Sequence, residues 1–187
     1  MAQRHAIVVG LGGSLRAPSR SLSALEVALD AAGAAGAQVK FFDLRTLDLP
    51  LFVPGATPSA AAQDYAEAVF EANGLIWSSP MYHGTISGSF KNALDWLELL
   101  AKRDPPYLTD KVVGLIGSAG GVQGLQVVNT LEYVVRSLRA FAVPMVVPIA
   151  GGAAFDGEGN LVDERAAAQL RHLGEEVAEL CLRRRPR

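Results

Sequence analysis

The sequence predicts an α/β fold in which a five-stranded parallel sheet lies between two layers of helices. Two patterns carry that prediction. Short apolar runs alternate along the chain with longer segments whose apolar residues recur every three or four positions, the periods of strand and helix. The short runs are also apolar at nearly every position rather than at every second one. That marks strands buried on both faces, as in parallel sheets.

The elements follow in order. "AIVVGL" from Ala6 reads as the first strand, and Arg20 to Ala35 as a helix that ends at Gly33 and Gly36. "VKFFDL" from Val39 is the second strand; a proline-containing connection, "LDLPLFVPGATP", leads to a helix over Ser59 to Ala72 with Ser59 as N-cap. "GLIWSS" from Gly74 is the third strand, ended by Pro80, and "GSFKNALDWLELLAK" from Gly88 a helix with Phe90, Leu94, Leu97 and Ala101 on one face. "KVVGLIGS" from Lys111 is the fourth strand and Val122 to Phe141 a long helix. "VPMVVPIAG" from Val143 is the fifth strand, and Asp163 caps a last helix that runs to Leu182. Strands that alternate with helices in this way fit right-handed crossovers and a flavodoxin-like three-layer sandwich with strand order 2-1-3-4-5. One domain over residues 1–187 accounts for the whole chain.

Composition narrows the function. Half of the residues are hydrophobic, 19% are charged, and the formal net charge is −2. No strong positive field invites nucleic acid or anionic lipid. The basic run "RRRPR" from Arg183 reads as a solvated tail beside a helix C-terminus. Cys181 is the single cysteine, which rules out an intrachain disulfide and paired-cysteine zinc sites. With His5, His83 and His172 as the only histidines, a metal site is not expected. The first apolar run is too short to span a membrane and lacks the flanks of a signal peptide, so a cytoplasmic location is expected.

In a sheet of order 2-1-3-4-5, ligands bind beyond the carboxyl ends of the strands around the first and third. The loops after strands one, three and four are all unusual. "GGSLRAPSRS" places Leu15 where a dinucleotide fingerprint needs its third glycine, and it has no Walker lysine. Asp43 lies too far along for a ribose carboxylate and suits a cap for its own loop. What remains is Ser14, Ser19 and Ser21 hydroxyls, the Arg16 guanidinium and open N–H groups at a helix N-terminus. That set suits one terminal phosphate, although a helix cap alone would explain it as well. "SSPMYHGTISG" concentrates Met81, Tyr82 and His83 at a loop tip, as a flat aromatic ligand would require, or as cover for the core below. "GSAGGVQG" bares the backbone N–H groups ahead of a helix; these suit a ring carbonyl that gains negative charge, or simply a tight turn.

Together these loops resemble the NADPH-dependent FMN reductase family of flavodoxin-like proteins, from about Val8 to Gly152. "GSLRAPSRS" is similar to the family's phosphate loop, "SPMYHGTISGSFKNALDWL" to its flavin-ring loop and following helix, and "DLRTLDLPLF" to the connection after strand two. The resemblance implies that Ser14, Arg16, Ser19 and Ser21 hold the FMN phosphate. It implies that Pro80, Met81, Tyr82, His83 and Gly84 lie along the isoalloxazine, with Ser118, Ala119, Gly120 and Gly121 at its other edge. Many members carry glutamate and asparagine where this chain has Met81 and His83, and proline where it has Ser87. Those differences bear on the electron acceptor more than on flavin binding.

The implied reaction takes a hydride from NADPH or NADH to N5 of FMN and then passes electrons to a second small molecule. Free flavin, a quinone, an azo dye or a metal oxyanion would serve, and a flavin-dependent monooxygenase is a possible recipient of reduced flavin. No residue of the chain need act as acid, base or nucleophile, since the flavin carries the chemistry. A flavodoxin-like electron carrier and a flavin-free regulatory or scaffold domain are the alternatives. The resemblance also implies a homodimer or homotetramer. The exposed parts of "DWLELLAKRDPPYL" are candidate interface with Trp96 and Tyr107 as candidate anchors, although core packing is the stronger reading for Trp96.

Overall fold

The computed structural model describes residues 6–183; residues 1–5 and 184–187, which include His5 and most of the basic tail, lie outside the described residues. The strands are β1 (Ile7–Gly12), β2 (Gln38–Asp43), β3 (Gly74–Tyr82), β4 (Thr85–Ile86), β5 (Val112–Ala119) and β6 (Phe141–Ala150). The helices are α1 (Arg20–Ala34), α2 (Ala60–Glu71), α3 (Gly88–Asp95), α4 (Gly124–Ser137) and α5 (Glu164–Arg183). The sheet runs β2-β1-β3-β5-β6, all parallel, with β4 folded back antiparallel on β3. With β4 set aside, this is the order expected from the sequence.

Alternation along the strands divides the core. Val9, Leu11, Trp77 and Leu115 pack against α2, α3 and α4, whereas Val8, Ile76, Val112 and Ile116 pack against α1 and α5. The helix caps are as expected. Ser59 Oγ accepts from Ala62 N at 3.2 Å, and Asp163 Oδ1 accepts from Arg165 N at 2.9 Å. Among the described residues, no helix is long and apolar enough to cross a membrane.

Four boundaries differ from expectation. Pro80 does not end β3, which continues to Tyr82. β1 ends at Gly12, opposite Ser78, so beyond that point β3 has no neighbour on this side and tolerates a residue without an N–H. The helix from Gly88 winds after Asp95 into a 3-10 segment, Trp96–Leu100. The helix expected over Val122–Phe141 is confined to Gly124–Ser137; Arg139, with φ of 70°, turns the chain and frees Phe141 to begin β6. Two prolines, Pro144 and Pro148, are admitted in β6 because it is an edge strand.

Trp96 is not an interface anchor. It is buried, its Nε1 donates to Pro50 O at 2.8 Å, and Phe52 meets it edge to face at 5.3 Å. Tyr107 is half-buried, with its hydroxyl donating to Glu98 at 3.1 Å.

Behind the sheet, α1 and α5 cross with almost no side chain between them. A Cβ on Gly174 would lie 1.9 Å from Ala28 O, so glycine sets how closely the helices approach. Because α1 carries the first loop at its N-terminus, this contact also fixes where that loop stands. Gly174→Ala is expected to cost about 2 kcal/mol or more of unfolding free energy in urea. A variant as stable as the parent would show that the crossing is slack.

Candidate functional site

Beyond the carboxyl ends of β1, β3 and β5 the structure forms a cavity of about 240 Å³. All three loops singled out in the sequence reach it. Ser14, Arg16 and Ser21 line it from the first, Pro80, Met81 and Tyr82 from the second, and Ser118, Ala119 and Gly120 from the third.

The first loop is organised around Ser19, which does not itself line the cavity. Its Oγ accepts from Ser14 N at 3.0 Å and from Leu22 N at 3.3 Å, and pairs with Ser21 Oγ at 3.3 Å. A hydroxyl has two acceptor sites and one proton. Two amides already point at the Ser19 acceptor sites, which favours Ser19 as donor to Ser21 and leaves Ser21 able to donate into the cavity. Ser14 Oγ likewise accepts from Arg16 N at 3.0 Å, which leaves its own proton to donate. Ser19 is thus the N-cap of α1 and the scaffold of the loop. The N–H groups of Arg20 and Ser21 remain open in the first turn, as at any helix start. Ser78, buried beneath, donates to Ser21 O at 2.7 Å and ties this turn to β3. Asp43 caps its own loop, with Oδ1 accepting from Arg45 N at 3.0 Å and the Arg45 guanidinium paired to Oδ2 at 2.7 Å.

The second loop is a hairpin. Tyr82 pairs with Thr85, and the two residues between, His83 and Gly84, both have positive φ, 50° and 86°. Two left-handed residues in a two-residue connection make the turn that suits the strand twist. His83 and Gly84 are therefore the tip of the hairpin, are exposed, and lie outside the cavity lining. Tyr82, 47% exposed, stands at the rim. Ser79 Oγ accepts from Ser87 N at 3.2 Å, and Ser87 Oγ caps α3 by accepting from Phe90 N at 3.2 Å. These two serines hold the hairpin to the helix that follows.

In the third loop, close packing explains the glycines that flank it. A Cβ on Gly117 would lie 2.5 Å from Gly124 O, so β5 runs directly against the first turn of α4. Gly120 faces the cavity, while Gly121 lies behind it, its carbonyl accepting from Gly151 N at 3.2 Å.

A fourth wall was not foreseen. Pro18, Arg20, Phe155, Asp156, Gly157 and Gly159 also line the cavity. The segment after β6 folds into a small hairpin, with Phe155 bridged to Leu161. Asp156 shapes its turn by accepting from Glu158 N at 2.9 Å, from Asn160 N at 2.8 Å and from Asn160 Nδ2 at 2.9 Å. The Asn160 side chain, then the backbone N–H groups, hold the Asp156 carboxyl below its ordinary pKa. The available signal was the turn-rich string "DGEGN", which periodicity reads only as a loop.

The donors fit FMN. The first loop brings hydroxyls, open amides and guanidinium groups of the kind that bind a phosphate. The second and third loops bring proline, methionine and tyrosine with bare backbone, of the kind that suit a flat ring. Among the described residues, no group of three or more histidine, cysteine, aspartate or glutamate side chains is placed to share a metal ion.

Comparison with known proteins agrees. The chain is 31% identical over 186 residues to an NADPH:quinone oxidoreductase of Arabidopsis thaliana, covering 89% of this chain and 87% of that one. It is 38% identical over 113 residues to an FMN-dependent NADPH-azoreductase of Staphylococcus aureus (strain USA300), covering 57% of each. An oxidoreductase from Corynebacterium diphtheriae has the same fold, with TM-score 0.76, 22% identity, and coverage of 98% of this chain and 100% of that one. The family described as NADPH-dependent FMN reductase matches residues 7–155. The chain belongs to that family, and is an NAD(P)H-dependent flavin oxidoreductase with FMN as its cofactor.

Proposed function

We propose that the cavity holds FMN with its phosphate at the first loop and its ring between the second and third, and that the chain reduces a small-molecule acceptor there. The convergence of the three loops on one cavity carries the proposal. Bound there, FMN supplies two-electron chemistry between NADPH or NADH and the acceptor. The chain's own residues bind and orient. Ser14 and Ser21 donate their free hydroxyl protons to the phosphate, beside the open N–H groups of α1 and the charge of Arg16. Ser19 keeps those donors aimed. Met81 and Tyr82 cover the ring and exclude water, and Pro80 gives a rigid wall. The Gly120 amide favours negative charge on the ring edge near it. Ser118 and Ala119 bound the same edge, whereas His83, Gly84 and Gly121 shape these loops from behind.

Quinones, azo dyes, free flavin and metal oxyanions are the acceptors proposed, with a flavin-dependent monooxygenase as one recipient of reduced flavin. The quinone and azo relatives support the first two. The chain is proposed to work as one domain, in the cytoplasm, as a homodimer or homotetramer. Exposed Leu51, Val53 and Tyr133 support the oligomer. Large exposed apolar side chains of this kind are common at contacts between copies.

The purified protein mixed with FMN should show a perturbed flavin spectrum and should oxidise NADPH or NADH steadily with a quinone or azo dye. A colourless protein that FMN cannot reconstitute would leave the scaffold reading, and FMN binding without turnover the carrier. Ser21→Ala should weaken FMN about tenfold and leave riboflavin nearly unchanged, because riboflavin has no phosphate. Equal loss for both would place the phosphate elsewhere. Ser19→Ala should lower stability by about 1–2 kcal/mol as a lost N-cap. An unchanged denaturation midpoint would mean that its hydroxyl does not hold the turn.

A further inference from the structure

The cavity has three charged residues in its lining: Arg16, Arg20 and Asp156. Arg20 stands in the middle of "SRS", between two serines of the phosphate loop, yet its side chain turns toward the wall after β6. Its guanidinium carbon lies 5.7 Å from the centre of the Phe155 ring, and a Cβ on Gly152 would meet both terminal nitrogens at 3.7 Å. The group is half-buried and held in place. It nevertheless forms no ion pair among the described residues, although Asp156 lines the same cavity. Arg45, Arg103, Arg171 and Arg183 each hold a carboxylate instead. The Asp156 oxygens are already taken by Asn160 and by the turn's own amides. A guanidinium with a fixed face and unused N–H groups, facing a cavity, is built for an anion with several oxygens.

We infer that Arg20, positioned by Phe155, is a phosphate-monoester binding residue of this cavity, acting beside Arg16. The inference rests on the flavin-reductase reading above. A phosphate monoester carries close to two negative charges near neutral pH, and Arg16, which is exposed, supplies only one positive charge. Two ligands of the reaction offer such a group: FMN through its 5′-phosphate and NADPH through its 2′-phosphate. Riboflavin and NADH are the same molecules without it. The wall that orients Arg20 lies at and beyond the end of the family match at Phe155. It is fastened to the phosphate loop at two further points. Ser23 Oγ donates to Gly159 O at 2.9 Å, and a Cβ on Gly159 would lie 2.7 Å from Pro18 Cβ.

The test compares the wild type, Arg20→Ala, Arg20→Lys and Phe155→Leu. Dissociation constants for FMN and riboflavin are read from flavin fluorescence, and kcat/KM is measured with NADPH and with NADH. Arg20→Ala should reduce one phosphate-dependent ratio, FMN over riboflavin or NADPH over NADH, by about tenfold or more. The phosphate-free partner should move by less than about twofold. The affected ratio identifies which phosphate Arg20 meets. Arg20→Lys should restore part of the loss by keeping the charge, and Phe155→Leu should show a smaller loss in the same ratio by freeing the guanidinium. If Arg20→Ala leaves both ratios at the wild-type value, or weakens riboflavin and NADH as much as FMN and NADPH, the inference is overturned. A wild type that binds neither flavin would overturn the flavin reading first, and this inference with it.

Discussion

A parallel sheet covered on both faces leaves polar backbone free only at its ends, and every feature of the site follows from that constraint. Along the central strands the backbone groups are used in the ladders, and most side chains facing the helices are apolar. Chemistry can therefore gather only where strands stop and helices begin. In this chain β1, β3 and β5 are adjacent in the sheet, so the three loops at their carboxyl ends become neighbours in space although they lie far apart in sequence. At the same ends α1 and α4 begin, with amides that have no partner within the helix. The cavity is what remains between them.

Short side chains, serine above all, turn that opportunity into a defined site. Ser19, Ser78, Ser79 and Ser87 are buried and hydrogen-bonded to backbone, each tying a loop to its helix or to the next segment. Each bond contributes about 1 kcal/mol, but leaving a buried donor unmet would cost more, so the loops have few alternative shapes. Ser14 and Ser21 are equally buried but line the cavity, where they are proposed to meet the ligand. The same residue type thus serves as scaffold or as ligand. Which role it takes depends on how many of its hydrogen-bonding sites the backbone already uses.

This division explains what the sequence could and could not reveal. Strand order and the three loops were legible, because apolar periodicity reports burial and glycine with serine reports open backbone. The individual roles of Ser19 and Ser21 were not. They sit two residues apart with the same side chain, and only the register of the first helical turn separates them. Pro80 misled because a proline reads as a strand end unless the neighbouring strand is known to have stopped first. That His83 and Gly84 form the tip of a two-residue hairpin was not legible either, because it depends on the pairing of Tyr82 with Thr85. For Trp96 the sequence left anchor and core packing open, and the structure shows the core position. The wall after β6 carried no periodic signal at all.

That wall also settles the charge balance of the site. An aspartate in a cavity meant for anions would ordinarily oppose them. Asp156 is instead enclosed by N–H donors from its own turn, which draw its carboxylate into the hairpin and offset much of its field. The same hydrogen bonds hold its pKa below the ordinary carboxylate range. The carboxylate that shapes the hairpin is therefore spent on the turn, and the Phe155 ring on the same hairpin is set against Arg20. A nearly neutral chain thus lines its cavity with two guanidinium groups, without the surface of positive charge that would draw nucleic acid.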